Sequence, residues 1–322
     1  MSKPAPPFNR LALVGVGLIG SSIARAARAQ GAVRSIVATA RSAATRKRVA
    51  ELGIADQVVE TNAAAVEGAD LVIVCIPVGA SGAVAKEIGP HLAAGATVSD
   101  VGSVKGSVIS DMSPHLPKSV HFIPAHPVAG TEYSGPDSGF AELFVNRWCI
   151  LTPPAGADAK AVEKLAAFWR LLGANVDTMT ADHHDMVLAI TSHLPHLIAY
   201  TIVGTADEMQ TVTQSEVLKF SAGGFRDFTR IAASDPTMWR DVFLANKDAV
   251  LEMLGRFNED ISALTKSIRN GDGKALFEQF TRTRAIRKGI IDIGQDSPAP
   301  DFGRQHPDLN QPLPKPYAAE EN

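Results

Sequence analysis

The chain has little of what marks a secreted, membrane-spanning or nucleic-acid-binding protein. Its 322 residues include two cysteines, Cys75 and Cys149, which stand in apolar runs, so we expect buried reduced thiols and no disulfide framework. The formal net charge of −3 gives no electrostatic case for binding nucleic acid or an anionic membrane. No apolar stretch approaches the roughly 20 residues that span a bilayer, and the amino terminus lacks the apolar core of a signal peptide. We therefore expect a cytoplasmic protein with no nucleic-acid or membrane partner.

The first half of the chain alternates short β-branched runs with helical patterns. Strands separated by helical stretches of about 10–15 residues are typical of βαβ units and predict a parallel, doubly wound α/β sheet. The last helix and strand of this unit are expected at 159–172 and 175–179. The other expected strands are 11–16, 35–39, 71–76, 97–101, 121–125 and 149–152.

The second half has almost no strand patterns, and helical patterns take over from Asp182. Residues 234–271 are typical of one long helix, capped by Ser234 or Asp235, with Pro236 in its first turn and Gly271 after its end. Such a helix cannot bury its apolar stripe within one small domain, so we expect it to pack against a second subunit. The predicted domains are 1–181 for the sheet, 182–294 for an all-α substrate and dimerisation domain, and 295–322 for a flexible, proline-rich tail.

A glycine loop joins the first predicted strand to the first helix. Gly15, Gly17 and Gly20 form a GxGxxG pattern, with Leu18 and Ile19 between them at the helix start. Such glycines permit a tight turn, a close approach of the backbone to a pyrophosphate and close helix–strand packing, while the helix terminus supplies N–H donors. Because the pattern lies between a strand and a helix in an alternating chain, it predicts a dinucleotide site in a Rossmann-like domain.

The end of the second strand bears on the choice between NAD and NADP. Sites that prefer NAD usually have an acid there to bind the ribose 2′-hydroxyl, but Ala40 takes that position, flanked by Thr39, Arg41 and Ser42. The missing carboxylate and the adjacent guanidinium make NADP acceptable or preferred, and they leave NAD acceptable. Alternatively, the arginines are ordinary solvated charges at a helix start.

Polar and loop residues follow several strands at their carboxyl ends, the edge at which open α/β sheets bind ligands. Ile76 and Pro77 end one strand, and His126 directly precedes Pro127 at the end of another. His126 would there face the nicotinamide half of the cleft; alternatively, it is bonded within its own turn. The strand between these two is followed by Asp100, Ser103 and Lys105.

Five segments carry a resemblance to a known family: GVGLIGSSIA, DVGSVKG, HPVAGTEYSG, SHLPHLIAY and GGFRDFTRIAASDPTMWRD. Together and in this order they resemble the TyrA-type prephenate/arogenate (cyclohexadienyl) dehydrogenases of tyrosine biosynthesis. The resemblance implies a Rossmann domain followed by a helical dimerisation domain, and a homodimer. It also implies an NAD(P)-dependent oxidative decarboxylation of prephenate or arogenate. Hydride leaves the ring carbon that bears the hydroxyl, the hydroxyl loses its proton, and CO2 departs as the ring aromatises.

The resemblance also assigns roles to individual residues. His126 would accept the hydroxyl proton, a task that suits a neutral imidazole. Ser103 would bond the same hydroxyl, or hold His126 and the nicotinamide in register, and Glu132 matches a position near the active-site entrance. In the helical domain, His196 matches a substrate-site histidine, while His193 is expected to pack or bond near the domain interface.

The segment GGFRDFTR offers two guanidinium groups one helical turn apart, Arg226 and Arg230. A planar guanidinium suits bidentate capture of a carboxylate. By resemblance, Arg230 binds a substrate carboxylate, Asp227 orients or gates it, and Trp239 lies near the same site. Arg226 is expected to be a solvated or structural charge.

Other interpretations stay open on the residues alone. Another two-domain NAD(P)-dependent dehydrogenase or reductase, of the β-hydroxyacid or imine type, would generally rely on a lysine in its helical domain. The clearest polar cluster there consists of histidines and arginines. A protein that senses NAD(P) without catalysis is the alternative of a different class. We expect no metal, and the sequence does not decide between prephenate and arogenate.

Overall fold

The computed structural model describes residues 5–213 and 222–292. The chain divides between Gly255 and Arg256 into two compact units, and this boundary lies inside one helix, Lys247–Arg269. The domain boundary expected between residues 181 and 182 falls at the start of the helix Ala181–Leu188 and stays a prediction. The tail expected from residue 295 lies outside the described residues.

A six-stranded parallel sheet forms the centre of the first unit, in the order β3-β2-β1-β4-β5-β6. Alternate residues of β1 pack into two separate cores, Leu11 and Leu13 into one and Ala12 and Val14 into the other. The sheet is therefore covered on both faces, and the predicted doubly wound α/β arrangement is confirmed. The strands are β1 (Arg10–Val14), β2 (Ser35–Thr39), β3 (Gln57–Val58), β4 (Leu71–Val74), β5 (Thr97–Asp100) and β6 (His121–Phe122).

The strand predicted at 121–125 is wrong in one respect, because the chain leaves the parallel sheet at Pro124. Proline has no N–H to donate to a strand ladder, so the pairing ends there. The chain then enters a second sheet of three strands, in the order β7-β8-β9. These strands are β7 (Ala125–Pro127), β8 (Trp148–Leu151) and β9 (Asn175–Thr178), with β7 antiparallel and β9 parallel to β8. His126 is therefore fixed in a short strand and does not lie in a free turn.

Helices connect many of the strands and form most of the second half of the described chain. In the first half they are α1 (Leu18–Gln30), α2 (Ala43–Glu51), α3 (Asn62–Val66), α4 (Ser81–Ile88), α5 (Gly106–Met112) and α6 (Ala159–Leu171). In the second half they are α7 (Ala181–Leu188), α8 (Leu194–Thr213), α9 (Gly223–Thr229), α10 (Pro236–Ala245), α11 (Lys247–Arg269) and α12 (Gly273–Asp292).

The single long helix predicted over 234–271 is two helices, α10 and α11, which meet at Asn246. Asp235 caps α10 by accepting the N–H of Met238, and Gly271 follows α11 with a positive φ of 65°. Asn246 interrupts the helix with φ −109° and ψ 32°. Its buried side chain donates to the backbone oxygen of Asp185, 2.8 Å away. The expectation of one unbroken helix is wrong, because that side chain bonds a different helix.

Helix α7, a π-helical turn (Ala189–His193) and α8 follow one another without a break. The π turn ends two residues before Pro195, whose missing backbone donor favours a distortion at this place. Among the described residues, the run Ala181–Met209 is long and apolar enough to cross a membrane. The expectation that no stretch approaches that length is therefore wrong for this run. Asp185 in this run bonds the backbone of α5, which ties the run to the region beside the parallel sheet.

Candidate active site

The glycine loop after β1 has no room for a side chain at two of its three glycines. Gly15 has a φ of 94°, and a Cβ there would lie 2.4 Å from the carbonyl oxygen of Cys75. A Cβ on Gly20 would lie 2.5 Å from the oxygen of Gly15, whereas one on Gly17 would meet nothing within 4 Å. Gly17 precedes α1, and no side chain caps that helix. The free N–H groups of the first turn and the open space beside them fit a pyrophosphate.

The end of β2 carries no carboxylate. Thr39 and Ala40 are buried, while Arg41 and Ser42 are exposed. The Ser42 hydroxyl accepts the N–H of Thr45 and caps α2. The Arg46 guanidinium donates to the carbonyl oxygen of Ala40 at 2.8 Å and so shapes this turn. Arg41 is thus left at the surface of a turn that contains no acid.

Two loops from the carboxyl edge of the parallel sheet have different environments. After β4, Ile76 is half-buried against the glycine loop and Pro77 is exposed. After β5, Ser103 is half-buried. Lys105 and Asp100 instead form a fully buried ion pair, and the Lys105 ammonium also donates to the carbonyl oxygen of Ala125 at 2.8 Å.

His126 is buried and bonded to a second histidine. Its Nδ1 lies 2.9 Å from Nε2 of His184 in α7, and His184 is fully buried. Burial lowers the pKa of His126 well below its ordinary value, and the nearby positive charge of Lys105 lowers it further. Its Nε2 makes no hydrogen bond among the described residues. This nitrogen is also not among the fully buried polar atoms that lack a partner. His126 is therefore a neutral imidazole with one ring nitrogen open to a ligand.

Asp185 anchors this pair of histidines. One carboxylate oxygen lies 2.8 Å from Nδ1 of His184 and accepts the Lys105 N–H, and the other accepts the Gly106 N–H. Burial alone would raise the pKa of Asp185, but these hydrogen bonds outweigh burial and lower it. Asp185 is accordingly a carboxylate.

The two histidines of SHLPH have different neighbours. His193 is fully buried, and its Nδ1 lies 3.1 Å from the side-chain nitrogen of Asn246. His196 stacks on Trp239 with ring centroids 3.6 Å apart, and its Nδ1 donates to the carbonyl oxygen of Ser192. The pKa of each histidine is lowered to about 4, chiefly by burial, and the Arg230 guanidinium contributes to the lowering for His196. Both are neutral near pH 7.

Arg230 is paired with the glutamate of the loop after β7. Its Nη1 donates to Glu132 at 2.7 Å, and its Nε is buried without a partner in the described part of the chain. Arg226, one helical turn away, is exposed and lies 3.4 Å from Asp227. Asp227 therefore contacts Arg226, although it was expected to orient Arg230.

Three residues of this site were not predicted from the sequence: His184, Asp185 and Asn246. The pair His184–Asp185 stands in ADHHDM, where a second histidine, His183, is next to it and exposed. Nothing in local spacing distinguishes the buried histidine from the exposed one. Only the packing of α7 beside β7 and α5 does so.

The comparisons with known proteins agree with this architecture. A family model described as the nucleotide-binding domain of prephenate dehydrogenase matches residues 23–178, and one described as its dimerization domain matches residues 180–282. The first match begins inside α1, after the glycine loop. A cyclohexadienyl dehydrogenase from Zymomonas mobilis is 42% identical over 88% of this chain and 96% of its own.

Solved structures of similar proteins lead to the same family. Prephenate dehydrogenase from A. aeolicus, in complex with hydroxyphenyl propionate and NAD+, is 33% identical and superposes with a TM-score of 0.82 over 90% of this chain and 99% of that one. Synechocystis arogenate dehydrogenase is 26% identical, with a TM-score of 0.73 over 87% of this chain and 99% of its own. The predicted Rossmann-like sheet followed by a helical domain is confirmed. The chain belongs to the prephenate dehydrogenase family, whose activity is an NAD-dependent oxidative decarboxylation in tyrosine biosynthesis.

Proposed function

We propose that this chain oxidises and decarboxylates prephenate, arogenate or both, with His126 as the acceptor of the ring hydroxyl proton. The observation that carries the proposal is the neutral, buried imidazole of His126, held through Nδ1 and open at Nε2. When bound, NAD(P)+ supplies the hydride acceptor. His126 takes the hydroxyl proton as the carbonyl forms, and Ser103 holds the same hydroxyl or His126 in register. Loss of CO2 then leaves an aromatic ring.

Arg230 is proposed to bind a carboxylate of the substrate. Its Nε lacks a partner, and a buried donor without an acceptor is costly unless a ligand supplies one. Glu132 already takes one guanidinium nitrogen, and the fork geometry of arginine leaves others for a second carboxylate. Glu132 would then stand at the entrance, with Asp227 beside it. His196 and Trp239 would form a flat wall, and His193 would support it from behind.

The cofactor is proposed to lie along the glycine loop, with contacts from Ile76, Pro77 and Thr39. We propose that NADP is accepted as well as NAD, because the β2 turn has no acid to repel a 2′-phosphate. Arg41 and Ser42 are the exposed groups there that could bind one.

The chain is proposed to act as a cytoplasmic homodimer on a small-molecule substrate. The second unit exposes large apolar side chains that a partner subunit would cover. They are Ile261, Ile268, Phe277, Phe280 and Ile286, each at least 45% exposed.

The decisive experiment measures kcat/KM for prephenate and arogenate, each with NAD+ and NADP+, by absorbance at 340 nm. Turnover of at least one substrate is expected. Absence of NAD(P)H formation with both substrates would overturn the proposal. Dinucleotide binding without turnover would favour the non-catalytic alternative, and turnover of a β-hydroxyacid or imine instead would favour the other dehydrogenase class.

A further inference from the structure

Asp185 fixes the protonation of the ring nitrogen that faces it. Its two oxygens accept the N–H groups of Lys105 and Gly106 at 2.8 Å each, and the first oxygen also lies 2.8 Å from Nδ1 of His184. An ionised carboxylate has no proton to donate. The hydrogen bond between Asp185 and His184 therefore requires that Nδ1 of His184 carry the proton.

The protonation of His184 in turn determines which ring nitrogen of His126 carries a proton. A neutral imidazole protonated at Nδ1 has a lone pair at Nε2. The Nε2 of His184 lies 2.9 Å from Nδ1 of His126, so one of these two nitrogens must donate. With the proton of His184 at Nδ1, the donor is Nδ1–H of His126.

We propose that His184 is a positioning residue that accepts the Nδ1–H of His126 and so keeps the Nε2 lone pair of His126 free for the substrate hydroxyl. This inference rests on the proposed role of His126 as the proton acceptor. If His126 instead carried its proton on Nε2, that nitrogen would be a donor and could not take the hydroxyl proton. The chain Asp185–His184–His126 thus selects the ring tautomer that works as a base.

A doubly protonated His184 is the arrangement that would defeat this selection, because it would donate to His126 from Nε2. His184 has no exposed surface, and a buried cation costs free energy unless it is fully paired. Asp185, the carboxylate that contacts it, already accepts two backbone N–H groups.

The tautomer of His126 can be measured directly in the unmodified protein. Full-length chain labelled with ¹⁵N-histidine is examined by NMR at pH 8, and the His126→Asn variant identifies the His126 signals. We expect a protonated Nδ1 and an unprotonated Nε2. A His126 ring protonated at Nε2 would overturn the proposal, whatever the enzyme's turnover. Full turnover in His126→Asn would instead refute the role of His126 and leave the tautomer result standing.

Kinetics of matched variants test whether the contact matters for the reaction. His184→Leu removes the acceptor, and His183→Leu makes the same change at the adjacent exposed histidine of α7. We expect kcat to fall at least about tenfold in His184→Leu, with the KM for NAD+ unchanged and less loss than the roughly 10²–10⁴ of removing a base itself. His183→Leu should behave as the native enzyme.

His184→Gln provides the rescue and a second route if the leucine variant does not fold. The Gln side-chain oxygen reaches the place of Nε2 and can accept from His126. We expect its kcat to lie between those of His184→Leu and the native enzyme, or within tenfold of the native enzyme where the leucine variant yields no folded protein. Equal kcat values in His184→Leu and His183→Leu, or no gain of His184→Gln over His184→Leu, would contradict the positioning role.

Discussion

Replacing His126 by asparagine tests the roles of its two ring nitrogens separately. The Asn amide nitrogen can occupy the place of Nδ1 and still donate to Nε2 of His184, which lies 2.9 Å from Nδ1 in the native enzyme. Nothing in the variant occupies the place of Nε2, so the proton acceptor is lost while the buried contact survives. We expect kcat to fall roughly 10²–10⁴-fold, the range for loss of a general base. In free energy this is about 3–5 kcal/mol of transition-state stabilisation.

The assay follows NAD(P)H formation at 340 nm under saturating substrate, with dinucleotide affinity measured separately by titration. Affinity should stay within about twofold, because the glycine loop and the β2 turn are untouched. The native enzyme should also show kcat/KM that is flat from pH 8 down to 6.5, because burial lowers the pKa of His126 well below 6.5 and the neutral base persists. Full turnover by His126→Asn would refute the proton-acceptor role, and an acid limb of His126 centred above pH 6.5 would refute the effect of burial.

Two further substitutions test the substrate contact and the support behind β7. Arg230→Ala should raise the KM of the substrate roughly 10- to 150-fold with a smaller change in kcat, since a hydrogen bond to a charged group contributes about 1.5–3 kcal/mol. The control is Arg226→Ala, at the exposed arginine one turn away, which should change KM little. Equal effects of the two substitutions would contradict the assignment. Lys105→Met should destabilise the fold by about 3–5 kcal/mol and lower Tm by at least about 6 °C, because it leaves the buried Asp100 charge unpaired. Lys86→Met, at the exposed surface of α4, is the control. A native Tm in both variants would contradict the pairing.

The parallel sheet could be predicted from the sequence because it follows from periodicity. β1, β2 and β4 are mainly runs of apolar and β-branched residues bounded by turn signals. β3 was missed because it has two residues, Gln57 and Val58, too few for any period to show. Strands were predicted at 149–152 and 175–179, but their separation into a second sheet was missed for a different reason. Its strands pair across long stretches of chain, and the departure at Pro124 is visible in sequence only as a residue that cannot donate.

The site could be predicted where a residue follows a strand or matches a family motif, and not where a tertiary contact assigns its role. His126 and Arg230 belong to the first kind. Asp227 was expected to orient or gate Arg230 and instead contacts Arg226, while Arg230 is paired with Glu132, a residue of a distant loop that helical spacing does not reveal. His184 and Asn246 belong to the second kind. Each stands in an ordinary helical pattern, and only the packing of several helices around β7 makes it part of the site.

Asn246 links the break between α10 and α11 to the positioning of His126. Its side-chain nitrogen donates to the backbone oxygen of Asp185 and contacts Nδ1 of His193. The local backbone of Asn246 departs from the helical region, which frees the side chain for these two bonds. Asp185 is thus held from three sides: by its neighbour His184, by the backbone of α5, and by Asn246. The helix break at Asn246 thus holds the backbone of Asp185, the residue whose carboxylate bonds His184.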